Sequence, residues 1–390
     1  MPNYILAVIL ALGLGAASNT GNQAASPAPQ ASGSSASAAV SKPYHVVKTF
    51  PLPFLKQVGG RFAFEATSRR LFIADGKDLI VINPDTGETV GTVSNIGYAS
   101  DIAFAPELQR GFVVDSEHGG LLVLDLGKLT VLEKVHKVAQ SNLALYDAKS
   151  KKLFLASAQS KNCQVFDPLT DTVITSLKLG GYPLQGMNDS DGHAYFELIG
   201  DPLRDPRTLG LPFDVSPALP RGTIAEIDVV DGQNLQVSKR WKEPLCKDMR
   251  LIGIDRAHAR LFAGCGNSLA AIDLQTGTPT LSAPIPVKRL WYLQFDEELG
   301  DIFAVVETPP TLIALHENSS GEFDRPVVAT KGFPGYMVSD GKTGSLFALQ
   351  SDVKWVDTGM YAAIPEAGMQ PLKLPQSVPG TFRLVVYARD

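Results

Sequence analysis

Three features of this sequence predict an all-β fold, a seven-bladed β-propeller of four-stranded antiparallel blades. An aromatic residue closes a short apolar strand signal seven times, at Phe72, Phe112, Phe154, Tyr195, Phe262, Phe303 and Phe347. The intervals are 40, 42, 41, 67, 41 and 44 residues, and a period near 40 built of short strands is that of propeller blades rather than of stacked helices. An acidic or amide residue ends the strand after the anchor in six of the seven periods, and 35 Gly and 27 Pro supply the turns.

The elements follow in order within each period. An inner strand comes first, as in 61–65 (Arg-Phe-Ala-Phe-Glu), 101–105, 142–146, 251–255 and 292–296. Its alternation of small and apolar side chains suits sheets that converge on an axis. A polar turn of about four residues follows, such as 66–69, 149–152 or 340–343, and then the anchor strand. The third strand ends at Asn83, Asp125, Asp167, Asp228, Asp273 and Asp357, with His316 the exception. Such side chains cap turns by accepting backbone N–H groups. Their recurrence at blade period makes them turn caps rather than a catalytic carboxylate set. A β-rich fourth strand leaves each turn, for example 129–135 and 172–177.

A ring must close, and two terminal strands compete for one slot, 45–50 and 381–387. The first precedes its inner strand by the spacing seen inside other blades, so it is expected to complete the last blade, with the C-terminal strand at the outer edge. The 67-residue interval places an insertion at about 200–222 that holds five prolines and six charged residues. Proline-rich stretches of this length do not belong inside strands, and long loops are often binding loops.

Ahead of the propeller (44–390), residues 1–17 read as a signal peptide: an apolar run at 4–17 ends in the small residues Gly15, Ala16 and Ala17. The n-region has no Lys or Arg, a departure from the usual pattern that leaves the assigned start in question. Residues 18–43 are mostly Ala, Ser, Gly, Pro, Gln and Asn, which cannot bury enough apolar surface to offset ordering, so a disordered linker is expected. The expected location is therefore exported: periplasmic, cell-surface or secreted. Of three Cys, Cys246 and Cys265 flank one hairpin and are the disulfide candidate, which leaves Cys163 over.

The pieces 44–50 (Tyr-His-Val-Val-Lys-Thr-Phe), 102–108, 255–265 and 378–386 resemble the YVTN-repeat family of exported bacterial and archaeal seven-bladed propellers. The anchors read Phe-Ile-Ala-Asp or Phe-Val-Val-Asp in place of the namesake tetrapeptide. The resemblance implies surface, periplasmic or secreted placement and a binding or scaffold role, and it transfers no catalytic residue.

Chemistry is sparse. No His-Glu-x-x-His, P-loop, Gly-x-Gly-x-x-Gly, Gly-x-Ser-x-Gly or Cys-x-x-Cys-His motif occurs, so no cofactor and no metal site are expected. The six His are scattered; His193 and His258 fall in equivalent outer turns, and only His118, beside Asp115 and Glu117, lies near carboxylates on a candidate binding face. That face is the channel mouth, where inner strands begin. It gathers Arg61, Tyr98, Asp101, Asn142, Tyr182, Gln185, Arg250, Arg289, Trp291 and Tyr336. Aromatic planes with a few Arg and amide donors suit a peptide, a glycan or a partner protein; packing that merely seals the channel is the plain alternative.

The expected function is thus a monomeric, non-enzymatic binding propeller with no membrane span. A metal-dependent hydrolase, lactonase or lyase is the runner-up, for which Asp101, Asn142 and Glu307 are the nearby polar ligands. Single-stranded nucleic-acid binding is a third reading, opposed by a net charge of −5.

Overall fold

A computed structural model describes residues 43–389, except 57, 158, 201–224, 244–248, 266–267, 285–289, 307–310, 318–322, 325–326, 330–332 and 365–367. The signal peptide, nearly all of the linker, the 200–222 insertion beyond its first residue, Cys246, Arg289 and Glu307 fall outside the described residues.

Seven antiparallel blades form a ring, and each of the seven anchors lies in the second strand of its blade. Blade 1 comprises Val58–Glu65, Arg70–Asp75, Asp78–Ile82 and Thr89–Val93; blades 2 to 5 repeat the pattern from Ala99–Ala105, Leu143–Asp147, Tyr182–Asn188 and Met249–Asp255. Blade 6 starts at Leu290–Asp296, and its fourth strand is split into Phe323–Asp324 and Val327–Ala329. Each inner strand touches the next, and the inner strand of blade 7, Phe333–Asp340, touches that of blade 1. The one helix among the described residues is a 3-10 turn at Pro106–Leu108, and none is long and apolar enough to cross a membrane.

The anchors explain the period. The buried apolar residues fall into seven clusters, one at each blade-to-blade seam, and each cluster holds one anchor packed against the following blade. All seven rings are nearly or fully buried. Phe72 meets Phe104 of blade 2 at 4.9 Å between centroids, Phe262 meets Phe295 of blade 6 at 4.9 Å, and Phe347 meets Phe64 of blade 1 at 5.2 Å. A blade cannot bury both faces alone, so the ring is held by these seams.

The closing blade corrects the sequence expectation. The N-terminal strand His45–Pro51 does complete blade 7, but it is the outermost strand, and the C-terminal strand Arg383–Ala388 lies inside it against Ser345–Ser351. The physical reason is the burial each strand can accept. Leu384, Val385, Val386 and Tyr387 are all buried, as a strand flanked on both sides requires, whereas residues 45–49 are exposed. Asp357, expected to end the third strand, instead lies in a separate two-stranded hairpin, Val353–Ile364 with Gly368–Ser377, inserted before the C-terminal strand.

The turn caps divide in the same way. Asn83, Asp125, Asp167 and Asp273 each accept backbone N–H groups two or three residues on. Asp228 does not. It is fully buried in mid-strand, accepts the Gly180 N–H at 2.8 Å and pairs with Arg240, while Asp231 caps that turn through the N–H groups of Gln233 and Asn234. A second set was not anticipated: a buried carboxylate ends the inner strand, or in blade 4 directly follows it, in six blades, at Glu65, Asp147, Asp189, Asp255, Asp296 and Asp340. These fasten the turn into the second strand, as where Glu65 accepts from the N–H groups of Thr67 and Ser68.

Candidate functional site

The channel-mouth face is where inner strands begin, second strands end and third strands start. Six of the seven inner strands lose register there, between Val58 and Phe62, Ala99 and Asp101, Pro183 and Gln185, Leu251 and Gly253, Leu290 and Tyr292, and Pro334 and Tyr336. Bulges at a sheet rim re-aim side chains out of the ladder. The insertion at 200–222 joins the second and third strands of blade 4, and the hairpin at 353–377 joins those of blade 7. Both excursions therefore leave and re-enter on this face.

Four predicted residues come together across blades 7, 1 and 2. Arg61, 46% exposed, donates from Nε to the Ser100 carbonyl at 2.6 Å and sits 3.2 Å from Asp101. Asp101 is itself fixed by the N–H of Ile102 at 3.0 Å and by that of Ala144, from blade 3, at 2.9 Å. It stitches three blades; burial pushes its carboxyl up, opposed by Arg61 and those N–H groups. Tyr98 is held by its N–H on Asp115 at 3.3 Å and by its carbonyl, which accepts the Ser116 N–H at 2.9 Å. Burial, with Tyr336 nearby, pushes the Tyr98 hydroxyl up to about 12. Burial also raises Tyr336, against the attraction of Arg61.

The remaining residues are spread round the ring. Asn142 directly precedes the inner strand of blade 3 and donates its N–H to the Ala156 carbonyl at 2.9 Å. In blade 4, the ring of Tyr182 lies 5.0 Å from Lys161 Nζ, and Gln185 has a buried side-chain oxygen with no hydrogen-bond partner among the described residues. Arg250 and Trp291 stand at the starts of the inner strands of blades 5 and 6, where only their backbones are described. Sequence reasoning missed Glu197. It lies opposite Gln185, is fully buried, and accepts the Leu251 N–H of blade 5 at 3.2 Å. The signal was present, since an acid interrupts an otherwise apolar anchor strand at 194–199.

The histidines join the turns. His118, His193 and His258 each set Nδ1 2.8–2.9 Å from Asp115, Asp189 and Asp255, buried carboxylates that also cap the local turn. Glu117 is drawn away from His118 to Lys77 at 2.6 Å. Among the described residues no three His, Cys, Asp or Glu side chains gather to hold a metal ion. Cys163 is a free buried thiol whose pKa is pushed up by burial, and Cys246, half of the disulfide candidate, lies outside the described residues.

Fold and face together define a seven-bladed β-propeller with an irregular channel mouth. No protein-family model matches the sequence, and no curated protein matches it. Solved structures match in fold. A chain of Kuenenia stuttgartiensis hydrazine synthase superposes with a TM-score of 0.59 at 10% identity, over 82% of this chain and 96% of that one. A chain from the mitotic checkpoint complex gives 0.59 at 10% identity, over 94% and 99%. At such identity the likeness is one of fold alone, and propellers host unrelated functions.

Proposed function

We propose that this chain is an exported, non-enzymatic propeller of the YVTN-repeat kind that binds a peptide, glycan or partner protein, as a monomer, at its channel mouth. One observation carries the binding reading. The terminal guanidinium nitrogens of Arg61 and the hydroxyl of Tyr336 have no hydrogen-bond partner among the described residues, although Arg61 is pinned through Nε and acts electrostatically on Tyr336. A few fixed, unpaired polar groups beside aromatic planes are what a recognition site offers. Both long excursions emerge on the same face, which supports that choice of face. Export rests on the apolar run at 4–17 and the small residues that end it.

A glycan and peptide array probed with the chain lacking residues 1–17 tests the binding, alongside the Tyr336→Ala and Arg61→Gln variants. Ligands held by the wild type and weakened by either variant are expected. If every ligand found is indifferent to both, the mouth is not the site. Fractionating a producing host tests export: the chain truncated at residue 17 should stay inside, and its appearance outside would refute the signal.

A further inference from the structure

We infer that the mouth between blades 7, 1 and 2 takes a peptide segment that carries an acidic side chain beside apolar ones, with its carboxylate on Arg61. This rests on the channel-mouth reading and narrows it to one ligand chemistry.

The carboxylate follows from how Arg61 is held. Its residue falls in the register break between Val58 and Phe62, so no ladder partner fixes it. The Nε edge is occupied by the Ser100 carbonyl and by Asp101, whose own position is set by two backbone N–H groups. The guanidinium plane is thereby oriented, while its terminal pair of nitrogens has no hydrogen-bond partner among the described residues. A planar anion with two oxygens matches that pair in a bidentate fashion. Asp101 already balances the charge of Arg61, so a monoanion is favoured over a phosphate dianion, which Asp101 would repel. Tyr336 adds a hydroxyl donor within electrostatic reach of Arg61 and Tyr98.

The peptide follows from what surrounds this anchor. Of the exposed large apolar side chains among the described residues, Val46, Val47, Val90, Leu132 and Ile174 lie on outer strands, and Leu169 is in a turn on the opposite face. Phe54, Trp355 and Val356, 40–45% exposed, instead lie in connections on the mouth face, Phe54 between the outer strand of blade 7 and the inner strand of blade 1, and the other two between the second and third strands of blade 7. Phe54 lies in the connection that runs into the Arg61 strand, and Trp355 and Val356 stand at the foot of the inserted hairpin. Backbone bonds join these segments: Leu52 N–H to the Phe382 carbonyl at 2.8 Å, and Gly380 N–H to that of Leu55 at 3.3 Å. Among the described residues the hairpin strands pair only with each other, so neither outer edge has a described partner strand. A lone two-stranded hairpin is marginal in water. An extended peptide can pair with such an edge, and a glycan cannot.

The test pans a displayed random dodecapeptide library on the wild type, then measures a recovered peptide by fluorescence anisotropy, with a galacturonate decamer in parallel. Recovered sequences should be enriched in Asp and Glu next to apolar residues. Arg61→Gln, or amide replacement of the peptide's acids, should weaken binding about 10- to 100-fold, the worth of a charge-assisted pair. Tyr336→Phe should weaken it by less, and Arg61→Lys should recover only part. Matching circular-dichroism melts establish that the variants fold. No acidic enrichment, no recovered peptide, an unchanged affinity in Arg61→Gln, or binding of galacturonate alone would each overturn the assignment. A ligand lost with Tyr336→Ala but indifferent to Arg61→Gln removes the carboxylate anchor and leaves the mouth reading standing.

Discussion

Replacing Asp301 should loosen both ends of the propeller at once. Its carboxylate is fully buried in the second strand of blade 6, and Oδ2 accepts the Tyr44 hydroxyl at 2.9 Å and a guanidinium N–H of Arg389. Oδ1 lies 2.9 Å from His316 Nδ1. Tyr44 precedes the first strand and Arg389 follows the last, so one side chain fastens the residues flanking both ends of the propeller to a blade that neither belongs to. Tyr44 also sets its ring edge-on to Phe303 at 5.2 Å, with Arg389 over its face at 4.8 Å. Tyr44→Phe removes one hydrogen bond to a charged acceptor, about 1.5–3 kcal/mol. Asp301→Asn leaves two donors on one amide oxygen and strips Arg389 of its counter-charge, about 3–5 kcal/mol. Urea unfolding should give those losses, and the double variant should lose less than their sum by about 1 kcal/mol, the charge-assisted part of the Tyr44 bond. A coupling below about 0.5 kcal/mol, or an Asp301→Asn midpoint equal to the wild type, would refute the lock.

Deleting residues 44–50 should lower the melting temperature sharply, because it strips blade 7 of its outer strand; an unchanged melt would show that closure does not depend on that strand. Gly87 and Gly277 take φ of +74° and +72° in equivalent turns, and an added Cβ would fall 2.5 Å from Phe50 and 2.3 Å from Trp241. Ala at either site should cost at least the roughly 1–2 kcal/mol of a left-handed side chain, read by urea unfolding. Burial pushes the hydroxyls of Tyr44 and Tyr387 from 10.0 up to about 12. Their contribution is complete below pH 10 and is lost as pH climbs toward 12, so the urea midpoint should fall over that window and fall less in Tyr387→Phe. A flat profile would contradict it.

The period was legible because every seam demands one large buried ring at one register, and sequence spacing records that demand directly. The caps were legible where turn chemistry is local, as at Asn83 and Asp273. Asp228 misled because an acid after an apolar run looks alike whether it ends a strand or is buried within one. The following Asp231-Gly-Gln-Asn repeated the turn cadence and was the better signal. The order of the two terminal strands lay in their burial tolerance: Leu-Val-Val-Tyr at 384–387 needs cover on both faces, and Lys48 and Thr49 need none. The hairpin at 353–377 escaped because its strands have the same alternation as a blade strand, and only pairing separates them. At the mouth, Arg61 meets Ser100 and Asp101 of blade 2 and lies within electrostatic reach of Tyr336 of blade 7, a proximity of positions 61 and 336 that ring closure creates.

That contrast locates specificity. In six blades the residue two beyond the anchor pairs with one inner-strand residue, and these partners are Asp101, Leu143, Gln185, Arg250, Tyr292 and Tyr336. In blade 1 that level falls in the break that carries Arg61. Seven structurally equivalent places thus hold acid, aliphatic, amide, cation and phenol, while the anchor one turn of the pleat away is aromatic every time. Seams are alike because each must pack the same kind of neighbour at the same distance. The mouth positions do not repeat in this way, and so the mouth is where a repeating chain can carry a non-repeating message. On the proposed reading, a ligand that binds this face meets Arg61 and Asp101 together on the arc between blades 7 and 2.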